Sequence, residues 1–235
     1  MDIKYVIIFA VVFLIFILIG LAIVNYSGED MYEKFKKFSV YPTGMSPVEL
    51  ANIVGEREFS GRIKIKYKDK LFCDSMASNY ALTLCEKYAN SYNISALSIC
   101  AHELGHAYQF RDKLEKMYRH NRLNKISKIF SAMFTPLVLV GIIFLATEYQ
   151  IYGYVILGFG IISLIIALIS KFSTIGIEKE ASNTGLQIMA VYTNLSDEEL
   201  KMASIFLKSA KMTYVADLLR IMLKWTGLVK KRRKQ

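Results

Sequence analysis

Two of the chain's three histidines, His102 and His106, stand four residues apart in the stretch CAHELGHAYQF, residues 100–110, with Glu103 between them. On an α-helix, residues four apart share a face, one turn above the other. Two imidazoles so placed can each give a ring nitrogen to one Zn2+. Glu103, one position round, can reach a water on that ion but is not placed to ligate beside them. The chemistry such a set performs is hydrolytic. The metal lowers the pKa of its water toward about 7, and the carboxylate takes the proton as that water attacks a carbonyl.

The bland alternative is two helix-surface histidines and a solvated glutamate. The flanking Ile99, Ala101, Leu104 and Ala107 argue against it, because they make the helix largely buried. An unliganded His–Glu–His set would be costly there. Gly105 sits in mid-helix at a cost of about 1 kcal/mol relative to Ala, so a close neighbour is expected beside it.

A catalytic zinc takes three protein ligands and keeps one position open. Asp112 stands where the longer HExxHxxGxxH pattern has its third histidine. The turn that pattern needs is normally made by glycine, and Gln109 occupies the place. His120, in YRHNR, reads as a lone surface histidine. Glu178 and Glu180, in GIEKEAS, are stronger candidates. Helical spacing puts Glu178, Ala181 and Ser182 on one face, where small side chains would let this helix press against the His102 helix. Glu180 points about 200° away and reads as solvated. For Glu178, spacing alone leaves two readings open, a ligand and a juxtamembrane surface charge.

The elements that must position these groups are dominated by apolar runs. The chain of 235 residues is 54% hydrophobic yet carries a net charge of +10, which points to a membrane protein with charged flanks. Residues 5–24, 134–147 (extended back to Ile129) and 151–170 are long enough to cross a bilayer as helices. The first run exceeds a signal-peptide h-region, and Val24-Asn25-Tyr26-Ser27 is a poor cleavage site, so an uncleaved anchor is expected. Lys4 alone precedes the first run; every other Lys and Arg lies between Lys34 and Lys128 or from Lys171 onward. By the positive-inside rule the two basic segments, and with them the histidine helix, face the cytoplasm. The tail KKRRKQ fits a solvated end near anionic headgroups better than a nucleic-acid contact, since no aromatic residues interleave it. Cys73, Cys85 and Cys100 are an odd number without CxxC spacing, and free thiols are expected.

Between these runs the pattern predicts a short amphipathic surface helix at 31–38 and a helix opened by Ser46 as N-cap with Pro47 behind it. RIKIKYK alternates as a half-buried strand with Ile63, Ile65 and Tyr67 inward; Lys68–Lys70 would turn it into LFCD, and Tyr80–Leu84 makes a third strand. A helix from Asn93 to about Phe110 carries the histidines. IEKEASNTGLQIMAVY reads as a further helix, and Ser196–Glu199 is a capping box for the next. The last apolar segment, 214–228, is interrupted by Asp217, Arg220 and Lys224, and reads as interfacial or packed on other helices.

HELGHAYQ, a two-span hairpin, IEKEAS and KSAKMTYVADLL follow one another in this order. Together they resemble the YugP-type family of membrane zinc metallopeptidases, and the resemblance covers nearly the whole chain. More distantly, the ExxA(S/D) block is similar to the third-ligand helix of HtpX and of the CAAX prenyl proteases. The resemblance implies His102, His106 and Glu178 as zinc ligands and Glu103 as general base. Tyr214 would either donate to the developing oxyanion or pack its helix. The family's DHYDP block has no counterpart here beyond CDSMASNY.

The expected fold is mainly α with a small β-sheet (α+β), with about three transmembrane helices and a zincin-like HExxH region. Its segments are an anchor at 1–27, a cytoplasmic region with the small sheet at 28–128, a hairpin at 129–170, and a helical region with the third-ligand helix at 171–235. The expected activity is zinc-dependent endopeptidase cleavage of a peptide or membrane-protein substrate at the bilayer, with no nucleic acid involved. An extended substrate would lie beside the 62–67 strand. The competing class is a non-catalytic scaffold or regulator with a structural zinc, against which the intact Glu103 speaks. A pore lacks support, because the apolar runs contain no ionisable residue.

Overall fold

The computed structural model describes residues 3–69 and 80–228. The expected LFCD strand, Cys73 and the basic tail lie outside the described residues. The elements, in order, are α1 (Ile3–Ser39), α2 (Pro47–Phe59), β1 (Lys64–Lys68), β2 (Ala81–Cys85), α3 (Ile94–Asp112), α4 (Leu114–Leu145), α5 (Gln150–Tyr192) and α6 (Asp197–Met222). Among the described residues the chain is thus mostly helical with one small sheet. The described residues divide into two compact units: residues 3–29, 120–174 and 212–228 form one, and residues 30–69, 80–119 and 175–211 the other.

Local signals open three of the described helices. Ser46 caps α2 in a capping box, its Oγ accepting from the Glu49 amide while the Glu49 carboxylate accepts from the Ser46 amide. Asn93 Oδ1 accepts from the Ala96 amide at 2.9 Å and opens α3. Ser196 and Glu199 repeat the box before α6.

Four helices run further than the pattern predicts, among them α4, which starts at Leu114 rather than near Ile129. The segment at 31–38 is no separate surface helix but the end of α1, which continues through Ser27, whose hydroxyl donates to the Val24 carbonyl. An Asp30–Lys34 pair at 2.8 Å supports the same turn. IEKEAS is likewise the continuation of α5, since no proline breaks the helix after Ser170. The 214–228 segment continues α6 and ends in a single 3-10 turn.

The first unit contains helical segments from α1, α4, α5 and α6. Its core joins Phe13 and Ile17 of α1, Phe134 and Val138 of α4, Leu157 and Ala167 of α5, and Leu218, Met222 and Leu223 at the chain's end. The last apolar segment is therefore packed on other helices. In α4 and α5, Gly141 and Gly153 let the hairpin close: a Cβ at Gly153 would stand 2.8 Å from the Leu145 amide nitrogen. The remaining faces expose large apolar residues such as Ile8, Val12, Phe159 and Ile169. Helices α1, α4 and α5 are the three, among the described residues, that are long and apolar enough to cross a membrane. Exposed apolar surface of this extent suits lipid, not water.

The second unit holds the sheet and α3. Leu50 and Val54 of α2, Leu82 and Leu84 of β2, Leu97 and Leu104 of α3, Met189 of α5 and Ala203 of α6 share one core. β1 and β2 pair in parallel, with Lys64 opposite Ala81 and Lys68 opposite Cys85. The strand predicted at 80–84 is present, displaced by one residue. Ile63, just before β1, and Ile65 within it are half-buried but Tyr67 is exposed, so the inward face ends one position early. Cys85 and Cys100 are free thiols, and Cys100 Sγ donates to the Pro47 carbonyl at 3.1 Å.

Candidate metal centre

Helix α3 is buried along nearly its whole length, as its apolar flanks predict, so its polar residues must find partners inside the protein. The partner helix is the end of α5, and small residues bring the two together. A Cβ at Gly105 would overlap the carbonyl oxygen of Ala181 and stand 2.9 Å from its carbon. A Cβ at Gly185 would stand 2.7 Å from the Ala101 carbonyl oxygen. Ala101 and Gly105 are four apart on α3, and Ala181 and Gly185 are four apart on α5. Each helix thus offers a smooth stripe one turn long, and the backbones meet there.

The histidines flank that contact. His102 Nε2 lies 3.5 Å and His106 Nε2 3.3 Å from the same oxygen, Oε2 of Glu178. The ligand-capable atoms of the three residues all lie within 4.8 Å of one another. Three donors are therefore brought to one point, close enough to hold a metal ion. His106 and Glu178 are buried and His102 nearly so.

Each imidazole is held by its other nitrogen. His106 Nδ1 lies 2.9 Å from Gln109 Oε1, an oxygen that can only accept, so Nδ1 carries the proton and Nε2 presents its lone pair. His102 Nδ1 lies 3.1 Å from Ser182 Oγ, whose own proton goes to the Glu178 carbonyl at 3.0 Å. The hydroxyl must therefore accept, and His102 too is protonated at Nδ1. Both rings face Glu178 with basic nitrogens. One buried carboxylate and two imidazoles, with His106 neutral once a cation displaces its Nε2 proton, form a donor set that suits Zn2+, with the ring orientations already set by hydrogen bonds. Burial pushes the His106 pKa down, but Glu178, Glu103 and the Gln109 hydrogen bond outweigh it and hold it at about 9. A proton and a cation would compete for the same nitrogen.

Glu103 is buried on α3, and its charge acts on both His106 and Cys100. Burial and that charge together push the Cys100 thiol far above its usual range, so it stays protonated and inert.

The other candidates are elsewhere. Asp112 is paired with Arg111 at the end of α3. Glu180 is not simply solvated: it is half-buried and accepts from Lys113 and from Lys116 at 2.6 Å, and these hydrogen bonds hold its pKa down at about 2. His120 is no surface residue. It is buried on the inward side of α4, and Asn124, four residues on, donates to its Nε2 at 3.0 Å. Tyr214 lies in α6, and its side chain is outside the described residues.

In the sequence, Gln109 stands out only as a missing glycine and Ser182 only as a small residue. The signal was there in helical spacing, since Gln109 is three residues after His106 and Ser182 four after Glu178, on the faces that carry the ligand candidates.

A family model described as "Putative neutral zinc metallopeptidase" matches residues 7–231. Neither a curated protein nor a solved structure matches the chain.

Proposed function

The chain belongs to this family of neutral zinc metallopeptidases, and on that premise we propose that it is a membrane-embedded, zinc-dependent endopeptidase of gluzincin type. The observation that carries the proposal is the convergence of His102, His106 and Glu178 within 4.8 Å, from two helices far apart in sequence. In this reading those three residues hold the metal and Glu103 is the general base.

Zinc, when bound, supplies a Lewis acid that acidifies a water and polarises a substrate carbonyl. The chain's own groups do the rest. His102 and His106 keep their protons at Nδ1, so both Nε2 atoms remain donors throughout. Glu178 contributes the negative charge that makes the centre less electrophilic than a three-histidine site, while its burial excludes competing water. The Glu103 carboxylate takes the proton of the attacking water and passes it to the departing amine nitrogen. An extended substrate would run along β1, whose backbone offers a strand edge and whose Lys64, Lys66 and Lys68 are exposed. Helices α1, α4 and α5 would span the bilayer with the site on the cytoplasmic side, in keeping with the basic segments that flank the spans.

The test uses purified full-length protein in detergent. Wild type is expected to hold one zinc, His102→Ala and Glu178→Ala to lose it, and Glu103→Gln to keep it while peptide hydrolysis falls by a factor of 1,000 or more, an order of magnitude typical of losing a general base together with its charge. Hydrolysis of a broad peptide library at equal rates by wild type and Glu103→Gln would sink the proposal.

A further inference from the structure

Glu180 was the residue with no assigned task, and its surroundings give it one. Gln109 is buried and its amide makes three contacts. Oε1 faces His106 Nδ1 at 2.9 Å, Nε2 donates to the Ile177 carbonyl at 2.9 Å, and Nε2 also points at Glu180 Oε2 at 3.4 Å. A glutamine amide can be turned end for end at little cost unless its partners distinguish oxygen from nitrogen. Here they do. Both groups on the α5 side, a carbonyl and a carboxylate, can only accept, so they demand the NH2 end. The oxygen is left for His106, and His106 must then donate from Nδ1. Glu180 in turn is fixed by Lys113 and Lys116, which close on its two oxygens.

The chain of contacts runs from Lys113 and Lys116 through Glu180 and Gln109 to His106. It runs from the start of α4 to α5 and on to α3, and these last two helices supply the ligand candidates. We propose that Gln109 is a positioning residue that fixes the tautomer and ring orientation of His106, and that Glu180 acts behind it by fixing which way the Gln109 amide points. The proposal rests on the reading of His102, His106 and Glu178 as a zinc site. It separates the two glutamates of IEKEAS by role: Glu178 faces the metal, and Glu180 two residues on orients a ligand from behind.

The consequence is specific. An apolar residue at 109 leaves His106 free to protonate at Nε2 and to rotate about its Cβ–Cγ bond, so metal affinity falls before folding does. Partners of this kind are typically worth about 10–100-fold in metal affinity. The experiment uses full-length protein in detergent with Co2+ as the probe, because its visible absorption reports ligand geometry. Dissociation constants come from competition with a chromophoric chelator, and thermal midpoints are measured on the same samples without added metal.

Gln109→Leu is expected to weaken Co2+ binding by about 10–100-fold and to change the band pattern, with its thermal midpoint in the absence of metal close to wild type. Gln109→Glu keeps an acceptor oxygen against His106 but sets a second acceptor against the Ile177 carbonyl and Glu180, so it should recover only part of the lost affinity. Glu180→Gln should weaken binding by a smaller factor, since its amide can present either end to Gln109. If Gln109→Leu fails to fold, Glu180→Gln decides the matter alone, because Glu180 touches only Gln109 and the two lysines among the contacts described. Wild-type affinity and an unchanged cobalt spectrum in the folded variants would overturn the proposal while leaving the zinc site intact. A wild-type protein that binds no cobalt would remove both.

Discussion

Gly105 and Gly185 lie where α3 meets the end of α5, and Gly141 and Gly153 lie where α4 meets its beginning. In each place a missing Cβ lets two helices approach to backbone distance: 2.7 Å would separate a Cβ at Gly185 from the Ala101 oxygen, and 2.8 Å one at Gly153 from the Leu145 nitrogen. What surrounds the two contacts differs. Beside Gly141 and Gly153 stand Leu145 and Leu157, and the contact is lined by hydrocarbon. Beside Gly105 and Gly185 stand His102, His106 and Glu178. Close approach is therefore a general device of helix packing. It becomes a site only where the residues one turn away carry lone pairs.

The largest effect should come from filling the first contact. Gly105→Ala gains up to about 1 kcal/mol of helix propensity. It also drives a methyl group into the Ala181 peptide, which has no rotamer to yield, and overpacking of this kind costs about 1–3 kcal/mol or more. The helices must separate, and zinc stoichiometry should fall well below one. At Gly141 the nearest atoms are Leu157 Cγ, at 2.7 Å, and Cδ2, parts of a side chain that can turn aside, with the Leu157 backbone nitrogen further off at 3.2 Å. Gly141→Ala should therefore cost less, by thermal unfolding in detergent, and leave zinc content at the wild-type level. Loss of zinc in Gly141→Ala, or its retention in Gly105→Ala, would break the distinction between the two contacts.

A finer comparison uses one hydroxyl from each unit. Ser182 accepts from His102 Nδ1 and donates to the Glu178 carbonyl. Ser127, on α4, donates to the Ala167 carbonyl of α5 at 3.1 Å. Both are buried helix-contact serines. Ser182→Ala should lower zinc affinity by about tenfold in chelator competition, because His102 loses the acceptor that sets its tautomer. Ser127→Ala removes a hydrogen bond worth about 1 kcal/mol and should leave that affinity unchanged. Equal zinc affinities in the two variants would mean that Ser182 does no more than fill space.

These contrasts also mark what could be read in advance. The spacing of His102, Glu103 and His106 is a property of one helix, and Ser46, Asn93 and Ser196 act within four residues, so local physics exposes them. Gly105 announced its neighbour by being unfavourable where it stands. The choice between Glu178 and Glu180 was narrowed by helical periodicity, and only the approach of α3 to α5 brings Glu178 to the histidines. The parallel pairing of β1 with β2 depends on a connection whose course no local pattern reveals. The same holds for His120 and Glu180. Each looks like a surface residue from its charged neighbours, yet one is covered by packing and the other is clasped by Lys113 and Lys116, partners distant in sequence.

The smallest expected effect is also the sharpest control. Gly176 sits on α5 two residues before Glu178, is exposed, and would meet nothing within 4 Å if given a Cβ. Its helical backbone lies outside the positive-φ region that glycine alone tolerates well. Gly176→Ala should therefore stabilise the protein by up to about 1 kcal/mol through helix propensity and a less flexible unfolded chain. The thermal midpoint should rise slightly, with zinc affinity unchanged. The same substitution then has opposite signs at two glycines, one facing a peptide and one facing open space. If zinc binding weakened in Gly176→Ala, the position of Glu178 would depend on flexibility of α5 itself rather than on the Gly105–Ala181 contact, and the account of how the two helices meet would have to change.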